Sequence, residues 1–321
     1  MSELWKMKKP VMVAEAAAAR KGLHIVLEVL VFIGVFLACY IAQLVVMIPA
    51  QLVLLFTDRN YLNAVAAGDM QAALAASEIL AQSDKVPIAM LFTNAGMILV
   101  ALLFCKLIQK RKMSTVGFQK PGMWKEYACG LGAGLALFSA AVLLCVVTGS
   151  LQFRGLSPEF SLGIFTLFVV GFLIQGMAEE VLCRGYFLVS VSRRYPLAVG
   201  IFANAALFAS LHLLNDGISM LAFVNLVLFG VFASVYFIKR GNIWGVGALH
   251  SIWNLAQGNI FGIRVSGIQI HCTIFSTEMV TGRELINGGD FGLEGGLAVT
   301  LVLLAGMAVM LVTKQRRCVE E

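Results

Sequence analysis

Glu179 and Glu180 sit side by side within an otherwise apolar stretch, Leu162 to Val191, and Arg184 follows one helical turn later. Two adjacent carboxylates in hydrocarbon are costly unless they are paired or put to use. Of only four histidines in the chain, His212 and His250 fall in two other apolar segments. Each has a partner four residues away, Phe208 before His212 and Asn254 after His250, and Gln257 extends the second face. Carboxylates and imidazoles gathered at membrane depth are what a buried acid/base centre requires. A Glu180–Arg184 pair leaves Glu179 as the carboxyl free to exchange a proton. Asn254 and a histidine can donate hydrogen bonds to a developing oxyanion. Together these groups can activate a water and hydrolyse an amide.

The elements that must position them are membrane helices. With 60% hydrophobic residues, 13% charged residues and a mean hydropathy of +0.88, the chain holds more apolar surface than a water-facing core could hide. Crossing roughly 30 Å of hydrocarbon takes about 20 helical residues. Apolar runs of that order occur at Val29–Phe56, Ile88–Ile108, Ala128–Thr148, Leu162–Val191, Leu197–Leu214, Ile218–Ile238, Ile243–Phe261 and Gly295–Thr313. The expected fold class is therefore all-α, a polytopic membrane protein of about eight transmembrane helices with a catalytic bundle core. If the eight alternate, 18 of the 24 basic residues fall on one side, a strong positive-inside bias. Both termini are then expected to be cytoplasmic. The excess of positive charge reflects this orientation, and no basic patch interleaved with aromatics points to nucleic acid.

The fourth and fifth spans form a hairpin that turns near Arg194, Tyr195 and Pro196, since arginines stop the first helix and proline suits the first turn of the next. Glu179 and His212 lie about equally far from that turn and can face each other. His250 lies only roughly 10 Å into its own span by the helical rise, so the hairpin would have to project into the cytoplasm for all three to meet.

The chain divides into residues 1–23, a cytoplasmic amino-terminal segment without a cleaved signal peptide; 24–161, the first three spans and their loops; 162–261, the catalytic helices four to seven; and 262–321, an outer loop, the last span and a cytoplasmic tail. His24 and Glu28 are expected to form an interfacial pair. Of seven cysteines only Cys272 is expected to face outward, which argues against an intramolecular disulfide. The last four residues, starting at Cys318, fit a prenylation box badly because the final two are acidic. A short surface helix is expected around Met70–Leu80, and Gly130, Gly132 and Gly134 read as close helix packing rather than phosphate binding.

The run Glu179-Glu180-Val181-Leu182-Cys183-Arg184 matches an EExxxR motif, Phe208 to His212 an FxxxH motif, and His250 to Asn254 an HxxxN motif. In this order, on these helices, the chain resembles the CPBP family of intramembrane endopeptidases, which includes type II CAAX prenyl proteases and bacteriocin-processing or immunity homologues of the Abi type. The resemblance implies that Glu179 activates the attacking water with help from His212. His250 and Asn254 would stabilise the oxyanion, Glu180 and Arg184 would support the first glutamate, and Phe208 would orient His212. No cofactor is expected, although two histidines and a carboxylate could form a three-ligand zinc site with an open fourth position. The HExxH, GxGD and GxSG patterns of other intramembrane proteases are absent. The implied partners are a peptide or protein substrate and the lipid bilayer, with no nucleic acid, and the implied location is a bacterial plasma membrane. Two alternatives are a non-catalytic, immunity-type membrane binding protein and a transporter using the buried carboxylates as a proton relay.

Overall fold

A computed structural model describes residues 7–316 of the chain. Lys6, Arg317 and the cysteine box at Cys318 lie outside the described residues. Helices hold 72% of the described residues, and the all-α membrane class is observed. In order they are α1 (Val11–Ala19), α2 (Ile25–Thr57), α3 (Arg59–Ala66), α4 (Met70–Ala81), α5 (Lys85–Ile108), α6 (Met123–Val147), α7 (Leu162–Ser192), α8 (Leu197–Ser210), α9 (Met220–Arg240), α10 (Trp244–Leu255), α11 (Glu284–Asn287) and α12 (Leu297–Val312). Two short strands, β1 (Leu151–Leu156) and β2 (Phe275–Met279), pair antiparallel, with Leu151 opposite Met279 and Leu156 opposite Phe275.

Local sequence explains where the helices stop. Ser219 caps α9 by accepting from the Ala222 amide at 3.1 Å, and Gly241, at φ +66°, closes its other end in the left-handed region that suits glycine. The ring of His24 accepts from the Val26 amide at the start of α2. The expected His24–Glu28 pair does not form. Glu28 is fully buried and instead bonds Arg193 at 3.3 Å and the Leu23 amide at 2.8 Å, because burial demands a guanidinium partner that the exposed capping imidazole cannot replace.

Five helices, α2, α5, α6, α7 and α9, are long and apolar enough to cross a membrane. The other three expected spans are realised as shorter helices: α8 with 14 residues, α10 with 12 and α12 with 16. Fourteen residues rise about 21 Å, short of a full crossing. α10 does not need lipid-facing length, since every residue from Gly245 to Leu255 except Ile252 is buried in protein. Exposed apolar side chains concentrate on α2, α5, α6 and α12, where Leu30, Ile41, Leu99, Val147 and Leu301 are examples. That is the pattern of an outer ring facing hydrocarbon around a protein-enclosed centre.

The segment 262–291, expected as an outer loop of no stated role, folds back over one end of the bundle and pairs with β1 through β2. Cys272, expected to face outward, is only 1% exposed: its thiol lies 3.4 Å from the Ser161 amide, and its own amide donates to Asp84 at 2.7 Å.

Glycines set the close approaches around α10. Gly130 and Gly134 of α6 face Gly245 and Leu249, while Gly176 of α7 lies against Ser251, so the packing role expected for the first two glycines is observed. A Cβ at Gly176 would stand 2.5 Å from Ser251 Oγ and 2.6 Å from its backbone nitrogen. Gly176→Ala is therefore expected to destabilise by about 1–3 kcal/mol, read as a lower thermal midpoint in detergent. Gly132→Ala, whose Cβ would meet nothing within 4 Å, should leave that midpoint unchanged; equal midpoints for the two variants would refute this packing.

Candidate active site

The last turns of α7 carry Gln175, Glu179, Glu180 and Arg184, and between Val181 and Leu188 the helix widens into π-type turns. Such widening is frequent at functional positions because it lets a helix re-aim its side chains. Glu180 and Arg184 are both fully buried, and Arg184 Nη1 donates to Glu180 Oε1 at 2.9 Å. The guanidinium also stacks on the Phe208 ring, 4.5 Å from its centroid.

α10 brings His250 directly between the two carboxylates. Its Nδ1 lies 2.8 Å from Glu180 Oε1 and its Nε2 3.7 Å from Glu179 Oε2. The start of α10 lies inside the protein, beneath the loop after α5: the Ile243 amide donates to Gly117 O at 2.9 Å, and Trp244 Nε1 to Gln119 O at 2.9 Å.

Phe208 is on α8, but His212 is not: the helix expected to run to Leu214 ends at Ser210, and His212 follows in a turn. Its Nδ1 is 3.0 Å from the Phe208 carbonyl, and the two rings lie 4.9 Å apart. Phe208 thus touches Arg184, His212 and, at 6.1 Å between centroids, His250. Asn254, one turn beyond His250, donates through Nδ2 to Gln175 Oε1 at 3.0 Å, and Gln175 Nε2 donates to Glu179 Oε1 at 2.5 Å. Glu179, His212, His250 and Asn254 all line one cavity of about 510 Å³, together with Phe208 and Gln175. Glu179 Oε2 is buried and makes no hydrogen bond within the protein. Two further polar residues of the neighbouring helices point elsewhere. Gln257 turns away to donate to Arg264 O, and Asn225 bridges helices by bonding Glu294 O, Gly296 O and Thr300.

Glu294 was not anticipated. It lines the same cavity and accepts from Trp253 Nε1 at 3.2 Å and from Ser266 Oγ at 2.7 Å. The only local hint is an acid placed immediately before the last apolar run; the partners that make it part of this wall are distant in sequence. Gln43 and Asn94, bonded to each other at 3.0 Å, add a polar pair to the wall formed by α2 and α5.

The donor set bears on a zinc site. His250 Nδ1 is committed to Glu180 and His212 Nδ1 to a backbone carbonyl. Among the described residues, no three His, Cys, Asp or Glu side chains are gathered so as to hold one ion. Engagement of both Nδ1 atoms leaves each Nε2 open toward the cavity, the nitrogen through which such an imidazole could act.

Removing Arg184 would leave Glu180 a buried carboxylate with His250 as its one remaining partner. Arg184→Ala is expected to destabilise by about 3–5 kcal/mol, seen as lost yield and a lower unfolding midpoint, whereas the isosteric Glu179→Gln should unfold like the parent chain.

Residues 161–256 match the sequence model of a protein family described as Type II CAAX prenyl endopeptidase Rce1-like. No curated protein and no solved structure matches the chain. The matched stretch runs from just before α7 into the turn after α10, so it contains every motif residue placed around the cavity, and it supports intramembrane protease activity. The segment from α7 to α10 is thus similar in sequence to the Rce1-like type II CAAX prenyl endopeptidases.

Proposed function

We propose that this chain hydrolyses a peptide bond in a membrane-associated peptide or protein, using a water activated by Glu179. The observation that carries this proposal is the convergence of Glu179, His212, His250 and Asn254 on one cavity inside an apolar bundle. Glu179 Oε2, free of hydrogen bonds within the protein, is the atom that takes the proton from water, and His212, on the same wall, shares in holding that water. Attack on the carbonyl carbon forms the new C–O bond and moves charge onto the carbonyl oxygen. Asn254 Nδ2 and His250 Nε2 are the donors that stabilise it. An imidazolium donates from both nitrogens, so His250 can bond Glu180 through Nδ1 and still offer Nε2–H to the substrate. Glu179 then returns the proton to the leaving amine as the C–N bond breaks. Glu180 and Arg184 hold His250 in place, and Phe208 packs His212 and Arg184 into register.

The mechanism needs no metal. If all eight apolar segments cross, the distribution of basic residues puts both termini on the cytoplasmic side, and a bacterial plasma membrane is the location proposed. Substrates on this assignment are peptides or protein ends presented at the membrane, such as the leader of a secreted peptide or a lipidated carboxy terminus.

Comparative peptidomics of cells carrying the parent chain or Glu179→Gln tests the proposal. Peptides that accumulate unprocessed with the variant are expected, with kcat on them lower by about 10²–10⁴-fold; identical peptidomes and an unaltered phenotype would instead indicate a binding protein. Activity of the purified protein is expected to survive strong chelators, and abolition by chelation with rescue by zinc would overturn the metal-free mechanism.

A further inference from the structure

Resting on the function proposed above, we propose that Gln175 is a positioning residue that couples the charge on Glu179 to the orientation of the Asn254 amide. Gln175 lies one turn before Glu179 on α7 and faces α10 across the cavity wall. Its two ends are both engaged: Nε2 donates to Glu179 Oε1 at 2.5 Å, and Oε1 accepts from Asn254 Nδ2 at 3.0 Å.

An amide has one donating and one accepting end, so this short chain of bonds has a direction. The ionised Glu179 only accepts, which obliges Gln175 to turn its NH₂ toward it. The Gln175 oxygen then faces Asn254, and Asn254 must answer with its own NH₂. One N–H of Asn254 is thereby committed to Gln175 and the other is held in a defined direction at the cavity wall, where the proposed mechanism needs a donor. When Glu179 Oε2 takes the proton from water, Oε1 stays an acceptor for Gln175 Nε2, so the chain keeps its direction and the second Asn254 N–H stays aimed at the cavity as charge builds on the substrate oxygen. Gln175 touches no reacting atom; it acts through the two residues on either side of it.

A merely structural Gln175 would be interhelical glue between α7 and α10, and the two roles separate experimentally. The substrate is the peptide found to accumulate with Glu179→Gln, resynthesised. On it, Gln175→Met, which keeps length and apolar contact but has no amide, is expected to lower kcat by about 10–100-fold with KM little changed. The loss should be smaller when measured in an Asn254→Ala background, because the two residues then act through one path. In lipid nanodiscs, the Asn254 side-chain amide resonance is expected to move on Glu179→Gln when Gln175 is present and to stay in place when it is Met. Gln175→Leu, apolar and unable to donate to Glu179, covers the case in which the Met variant does not fold; it too should lose turnover. Wild-type kcat in the folded variant, losses that simply multiply in the Asn254→Ala background, or an Asn254 resonance that responds to Glu179→Gln regardless of residue 175 would each overturn the inference. If Glu179→Gln itself retains full turnover, the proposed function fails and the role of Gln175 with it; a dead Glu179→Gln beside a fully active Gln175→Met removes only the role of Gln175.

Discussion

A carboxylate with no exposed surface, Glu180, is held between the guanidinium of Arg184 and the imidazole of His250. Attraction between opposite charges is strong in a medium of low dielectric, but so is the penalty for bringing each charge there, so the arrangement persists only while every partner is in place. Arg184 is in turn backed by the Phe208 ring, and Phe208 by His212 and Phe229. Four helices and a turn are thereby referenced to one buried charge. The cavity wall on which Glu179, His212 and Asn254 lie is defined by the same set of contacts.

Helix length in this protein follows from what surrounds each helix. α2, at 33 residues, presents much of its surface outward and carries a long run of exposed apolar side chains. α10 is barely a third as long and is nearly enclosed. Glycines at 130, 134 and 176 let α6 and α7 close on it, leaving little for lipid to touch. A polar constellation is tolerable at this depth because protein, rather than hydrocarbon, satisfies it. The loop 262–291 completes the enclosure from one end, latched by Ser266 to Glu294 and by the β1–β2 pairing.

The membrane class, the hairpin turning at residues 193–196, the Glu180–Arg184 pair and the packing role of Gly130 and Gly134 were legible because each is written in local composition or in four-residue spacing. The motif residues proposed for the site were legible for the same reason. The errors also have physical causes. His24 was matched to Glu28 by spacing, yet Glu28 is drawn to Arg193, a partner 165 residues away that burial favours. Cys272 was placed outward because its segment is polar, though that segment folds inward. Three of the eight apolar runs form helices shorter than a full crossing, because hydropathy registers how apolar a run is but not whether lipid or protein lies beside it.

By itself, then, the sequence determined that this chain lives in a membrane and which apolar segments carry its carboxylates and imidazoles, since these depend only on nearest neighbours along the chain. Tertiary structure alone decided that His250 lies between Glu179 and Glu180, that Gln175 joins Glu179 to Asn254, and that Glu294 reaches the same cavity. Those facts depend on how far each helix is rotated, sunk and tilted against its neighbours, and such offsets are set by packing between distant residues rather than by any local period.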